Sequence, residues 1–376
     1  MRRGYLVVVV VVALLLILSL GLMLERNGDQ PNPPDVGALV YRGMWIDKEE
    51  LDTIPMSGSG WDQLKAVADG DWGAADLRDN DSNHDVDTLA GALVFARMYP
   101  EPAAEDYRAR VADAIASIPG TEEGGSENSA LGRNLASYVI AADLINFPAY
   151  DPEREAEWRE WLDEVRIKPL VDDLTMIENH EQRLSNHGTM HGASRVAVDI
   201  YLGDRDDLEA AWTIWKGYYG DTESYDDWLY DGDTSWFCDP AQQQGINPPG
   251  CIREGVDLGG ALPAEMQRGG GFTTGCPPPD NYPWGALQSV GVATELLHRQ
   301  GYPARTYQNE AAKRAYDFLW DLHQRCGDWW VVGDNRWQPA LANHMFGTDY
   351  TEFEEAGHGK IMGWTEWTHG TRAAGS

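Results

Sequence analysis

The sequence predicts an all-α fold, and three observations carry that expectation. Apolar residues recur at 3/4 spacing through most of the chain beyond residue 85, and strand-like alternation is nearly absent. The loops between periodic stretches are short, as in GDRDD at 203–207 and RQGYPARTY at 299–307. About ten helices joined this way pack as antiparallel pairs, which favours an α/α toroid, an incomplete helical barrel, or a bundle. No internal period supports a solenoid.

Residues 4–24 are an uncharged apolar run preceded by Arg2 and Arg3. That length crosses a bilayer as a helix, and the flanking arginines place the amino terminus in the cytoplasm. No A-x-A cleavage site follows, so an uncleaved signal anchor is expected, with the rest of the chain extracellular or periplasmic. Cleavage would instead make the protein secreted. Residues 25–40, rich in Pro, Asn and Asp over 27–35, read as a linker, and 41–376 as one domain.

Within that domain, 85–99 carries Val86, Leu89, Leu93 and Ala96; 104–118 carries Tyr107, Val111, Ile115 and Ile118; 130–147 carries Leu131, Leu135, Val139, Ala142 and Ile145. Each spacing predicts an amphipathic helix. The stretch 154–177 is divided by Pro169 into two helical pieces. Ala193, Val196, Ala197, Ile200 and Tyr201 predict a helix over 185–202, capped by Asn186 and stopped by Gly203. Helices follow at 205–218, 284–299 and 309–325. Between them, residues 221–283 are irregular and rich in Gly, Pro, Trp and Cys, a kind of segment that commonly carries function.

A formal charge of −32, from 61 acidic against 29 basic residues, argues against nucleic acid or an anionic lipid surface as a partner. A saline setting would explain it equally well. Four cysteines in an exported domain predict disulfides: Cys238 with Cys251 around DPAQQQGINPPG, and Cys276 with Cys326, although sequence alone leaves the connectivity open. No C-x-x-C or close Cys/His set occurs, so neither a metal nor a cofactor is expected. Asp79, Asp81 and Asn83 begin like a calcium loop, but His84 stands where glycine is required and Ala90 where glutamate closes the loop, so they read as a solvated helix start. A monomer is expected.

The densest polar constellation is RLSNHGTMHGASR at 183–195. It places Asn186, His187, His191 and Arg195 at the start of one helix, the last three on one face, where an anion would also meet the positive end of the helix dipole. Further on come LPAEMQR at 262–268, with Glu265 and Arg268, and Tyr282 leading into the helix that ends ELLHRQG at 295–301. With RNLASYVIAADLI at 133–145 and YLGD at 201–204, these segments resemble the alginate-lyase type of polysaccharide lyase over roughly residues 85–324. The resemblance implies an α/α toroid whose groove takes an acidic polysaccharide and cleaves it by β-elimination. It places the family's amide and imidazole on Asn186 and His187, its arginine on Arg268 and its tyrosine on Tyr282. The inserted GGGFTTGCPPPDN holds Arg268 and Tyr282 further apart than the family does.

The chemistry fits those residue types. Removing the proton beside a uronate carboxyl creates an enolate-like dianion, so donors such as Asn186 and Arg268 must meet the charge as it develops. A histidine or a tyrosine beside a cation can then move the proton, which leaves His187, His191 and Tyr282 all eligible. His191, Arg195, Glu265, Trp236, Trp284, Asn343 and His344 are expected to contact substrate. Sixteen tryptophans, many in irregular segments, suit sugar stacking. The tail GKIMGWTEWTHGTR at 359–372 is expected to pack back near the groove. Two other functions remain open: glycoside hydrolysis by carboxylates drawn from Asp231, Asp233, Glu254 and Glu265, and a non-catalytic carbohydrate-binding role at the envelope.

Overall fold

The computed structural model describes residues 39–123, 129–351 and 359–370. The expected membrane segment 4–24 and most of the linker lie outside the described residues. Among those described, no helix is long and apolar enough to cross a membrane. Residues from Tyr41 onward form one compact unit, and it is all-α apart from a two-residue hairpin, Ile252–Arg253 (β1) against Val256–Asp257 (β2).

The helices are α1 (Lys48–Asp52), α2 (Ser59–Asp69), α3 (His84–Met98), α4 (Ala104–Ala116), α5 (Ser129–Leu144), α6 (Phe147–Tyr150), α7 (Pro152–Val165), α8 (Met176–Gln182), α9 (Asn186–Leu202) and α10 (Arg205–Tyr218). After the long irregular segment come α11 (Pro263–Met266), α12 (Tyr282–Arg299), α13 (Tyr307–Cys326), α14 (Gln338–Phe346) and α15 (Thr365–Thr368). Seven of the helical stretches expected from periodicity are present; of 154–177 the piece before Pro169 is helical (α7), whereas the piece after it is irregular until α8 begins at Met176. The sequence reading missed α1, α2, α6, α11, α14 and α15, and all but the start of α8. α1 is a single turn made by a capping box, in which Asp47 accepts from the Glu50 amide and Glu50 from the Asp47 amide. α2 buries only Trp61, Leu64 and Ala68, and α14 has nine residues, too few for the period to stand out.

The expectation of amphipathic helices throughout needs correction, because the helices fall into two classes. α2, α4, α7, α10 and α13 bury one stripe. α3, α5, α9 and α12 are buried nearly all round: α5 except for Arg133, and α9 except for His187 and Leu202. Their polar residues mask this in sequence, since Asp85, Asn134, Ser137, Ser194 and Arg195 are all buried and pair inside the protein. Neighbouring helices pack in the order α2, α3, α5, α9, α12, α14 and α15, and α15 returns to α2. There Trp367 meets Trp61 with ring centroids 5.5 Å apart. The α5–α9 contact is close because Gly132 lacks a side chain: a Cβ there would lie 2.8 Å from the His191 ring.

The tail does pack back. Ser137 donates to the Ile361 carbonyl and Trp364 Nε1 to that of Val86, which threads the final turn against α3 and α5.

Candidate active site

The start of α9 is shaped by its own glycine. A Cβ at Gly188 would stand 1.9 Å from the Arg183 carbonyl oxygen, so the chain can fold back on itself only with glycine in the N-H-G triplet. Asn186 is not the cap. Ser185 occupies that position without a side-chain cap bond, and the carboxylate of Glu265, brought in from α11, accepts the Asn186 amide instead. A carboxylate there meets the positive helix end. Glu265 is fully buried, and burial raises its pKa to about 7. This corrects its expected roles: it caps α9 from inside and has no surface to offer substrate or to act as a hydrolase carboxylate.

Asn186 lines a cavity of about 380 Å³ together with Arg133, Tyr282, Gln288 and Lys360. Asp280 and Asp334 line it too, and the Asp280 carboxylate is engaged with the Tyr282 amide at 2.9 Å. The Oδ1 of Asn186 has no hydrogen-bond partner among the described residues. Arg268 is exposed, and its guanidinium lies over the Tyr282 ring. The thirteen residues between them, 269–281, therefore loop out without separating this pair. The chain closes the loop with the Cys276–Cys326 disulfide, Cα atoms 5.5 Å apart, which ties it to the end of α13.

His187 is half-buried beside the same arginines. Burial pushes its pKa down, and Arg183, Arg268 and Arg133 push it further, so the ring is neutral at neutral pH. Arg183, itself paired with Asp172, points a guanidinium nitrogen at His187 Nδ1 at 3.4 Å. Guanidinium only donates, so Nδ1 is the acceptor and Nε2 carries the proton.

Other expected contacts fall away from this site. His191 is fully buried against Gly132, and Arg195, 1 % exposed, is clamped by Asp207 at 2.5 and 3.0 Å. The shared helix face predicted for His187, His191 and Arg195 runs into the core, so only its first member stays partly exposed. Trp236 and Trp284 are buried and donate to the Gly270 and Trp329 carbonyls. Trp228, Trp329, Trp330, Trp337, Trp364 and Trp367 are buried as well, so these eight tryptophans belong to the core. Asn343 holds the loop after α14 by bonding Tyr350 and Thr348. His344 lines a different cavity. Asp231, Asp233 and Glu254 are exposed, and none of them lines the Tyr282 cavity. Asp79 accepts from the Asp81 amide in a turn before α3.

Sequence reasoning missed Arg133 and Lys360. Arg133 is the one position of α5 that is not buried, a signal visible only once the helix is known to be central. Lys360 is brought in by the tail and donates to the Ser82 carbonyl and Asn83 Oδ1. The expected Cys238–Cys251 disulfide is absent. The two thiols are neighbours but both are free, and burial followed by the contact with Cys238 pushes the Cys251 thiol well up.

No family model, no curated protein and no solved structure matches this chain.

Proposed function

We propose that this protein is a polysaccharide lyase that cleaves a uronate-containing acidic polysaccharide by β-elimination. Its fold is an α/α toroid, held on the outer face of the membrane by residues 4–24. The observation that carries the reading is the meeting of Arg133, Asn186, Lys360 and the Arg268–Tyr282 pair at one cavity. In a chain of net charge −32, these cations make a local exception to the overall field. The succession of helix contacts that returns from α15 to α2 supports the toroid, and the segment resemblances point the same way.

In this reading the substrate carboxylate lies against Arg268 and the Asn186 side chain, where donors meet the charge of the enolate-like state. His187 adds the Nε2 proton that Arg183 fixes in place. That leaves Tyr282, half-exposed and free of the core, to move the proton. The bond from carbon to the hydrogen beside the carboxyl breaks, a carbon–carbon double bond forms, the glycosidic C–O bond breaks, and the departing oxygen takes up a proton.

The test uses the full chain in detergent with a panel of uronate polymers. A lyase produces an unsaturated uronate, read by its ultraviolet absorbance, together with new reducing ends. Reducing ends without that absorbance would establish hydrolysis instead. Retention of polymer with neither product would reduce the site to a binding groove.

A further inference from the structure

A second cluster lies outside this site. Glu295 on α12, His344 on α14 and His369 just after α15 each turn a ligand atom toward the others, all within 4.8 Å. None of the three lines the cavity that holds Tyr282. Glu295 and His369 are buried and His344 is exposed, its ring edge-on to that of His369 with centroids 5.0 Å apart. A separate cavity of about 300 Å³, lined by His344, His369, Glu50 and Thr368 among others, opens onto the group.

The proton inventory of His369 decides what this cluster needs. Where Thr368 Oγ1 donates to the Trp364 carbonyl at 3.0 Å it accepts from His369 Nδ1, 2.7 Å away, and this assignment satisfies all three groups at once. In that tautomer Nδ1 carries the ring proton and Nε2 a lone pair. Nε2 is buried without a hydrogen-bond partner among the described residues. In the same cluster Glu295 Oε1 is likewise buried without a hydrogen bond, because Arg305 takes the other oxygen, Oε2, while Arg299 Nη1 stands 3.6 Å from Oε1. Buried acceptors left this way are costly unless a cation or donor reaches them. Three carboxylates, Asp47, Glu50 and Glu295, surround the two guanidiniums of Arg299 and Arg305, so the neighbourhood keeps an excess of negative charge.

We propose that Glu295, His344 and His369 form a binding site for a divalent transition-metal ion of the zinc type, with a fourth position open to the cavity. Two imidazoles and a carboxylate are a donor set that zinc accepts in tetrahedral geometry with one position left for water or a ligand. Thr368 supplies the outer-shell partner that fixes the imidazole tautomer, as metal-bound histidines commonly have. Donors around a tetrahedral zinc at ~2.0–2.1 Å stand about 3.3 Å apart. The three ligand atoms, within 4.8 Å of one another, must draw in to reach that spacing, and the exposed His344 side chain is the one least held by packing. The ion would bind the final turn to α12 and α14, so it acts on the anchoring of the tail.

The inference does not rest on the lyase reading, and its test needs no substrate. Tag-free full-length protein in detergent is stripped with chelator and dialysed against zinc, and in parallel against cobalt. Expected are stoichiometric retention of zinc, visible-region absorption from tetrahedral cobalt, and a rise in Tm on adding zinc. In His344→Ala, exposed and so without cost to the core, metal affinity should fall more than ~10-fold, since loss of an outer-shell partner alone costs that much. Glu295→Gln should show the same loss. Wild-type protein that retains no more zinc than His344→Ala overturns the site. Cobalt spectra with thiolate charge-transfer bands would overturn it too, by assigning the metal to Cys238 and Cys251.

Discussion

The Arg268 guanidinium lies over the Tyr282 ring, with its central carbon 3.8 Å from the ring centroid. This contact brings together two residues that thirteen others separate in sequence, and it lets each be tested alone. Arg268→Ala should remove a donor to the developing charge and lower kcat on a uronate polymer by ~10²-fold or more. Tyr282→Phe keeps the ring and the stacking, so KM should hold while kcat falls ~10²–10⁴-fold. Steady-state kinetics on both variants separate the two outcomes. A Tyr282→Phe enzyme with near-normal kcat would remove tyrosine from proton transfer.

His187 and His191 diverge despite their four-residue spacing. His187→Ala should lower turnover in a protein that melts normally, because the ring is only half-buried and lies next to Asn186, which lines the cavity. His191→Ala should leave the turnover of folded enzyme unchanged and lower Tm, because its ring fills the space against Gly132 at the α5–α9 contact. Loss of a buried side chain of that size costs about 2–5 kcal/mol. Melting curves beside activity per folded molecule check both, and the reverse pattern would place His191 at the chemistry.

Most of the helical order could be read from the sequence because 3/4 periodicity survives even where a helix is buried on every side. The depth of each helix could not. Arg195 carries a charge, and only the structure reveals Asp207 clamped to it. Trp236 sits in irregular sequence and Trp284 at the edge of it, which resembles a sugar-facing loop until their indoles are seen bonded inward. The N-H-G start and Arg268 could be found by motif. Lys360 could not, since its approach depends on how the tail threads between α3 and α5.

Cysteine reactivity should follow the structure and not the loop spacing. Protein isolated without reductant should yield one reactive thiol when folded, from the exposed Cys238, and two in denaturant as Cys251 is uncovered. The Cys276–Cys326 pair stays silent until reduced. Titration with a chromogenic disulfide reads both counts. No thiol in denaturant would mean that Cys238 and Cys251 have joined.

Glu265 should give the protein a stability that declines toward alkaline pH. Burial raises its folded pKa from the usual 4.5 to about 7, so the folded state holds the carboxyl proton more tightly than the unfolded chain does. The advantage is complete below about pH 4.5 and is lost as pH rises through about 7. At ~1.36 kcal/mol per unit, the full swing is about 3 kcal/mol. Asp85, fully buried and raised to about 7 by the same cause, adds a swing of the same sign. Half-buried His187 opposes both: its pKa is lowered, so its contribution is lost toward acid pH. Glu265→Gln keeps a carbonyl oxygen to accept the Asn186 amide but has no proton to lose. Denaturant unfolding at a series of pH values from 5 to 8 should therefore give a flatter profile for this variant, with the larger gain over wild type at pH 8. Parallel profiles for the two proteins would mean that Glu265 is ionised throughout, and that its cap on α9 is a full charge against the helix dipole.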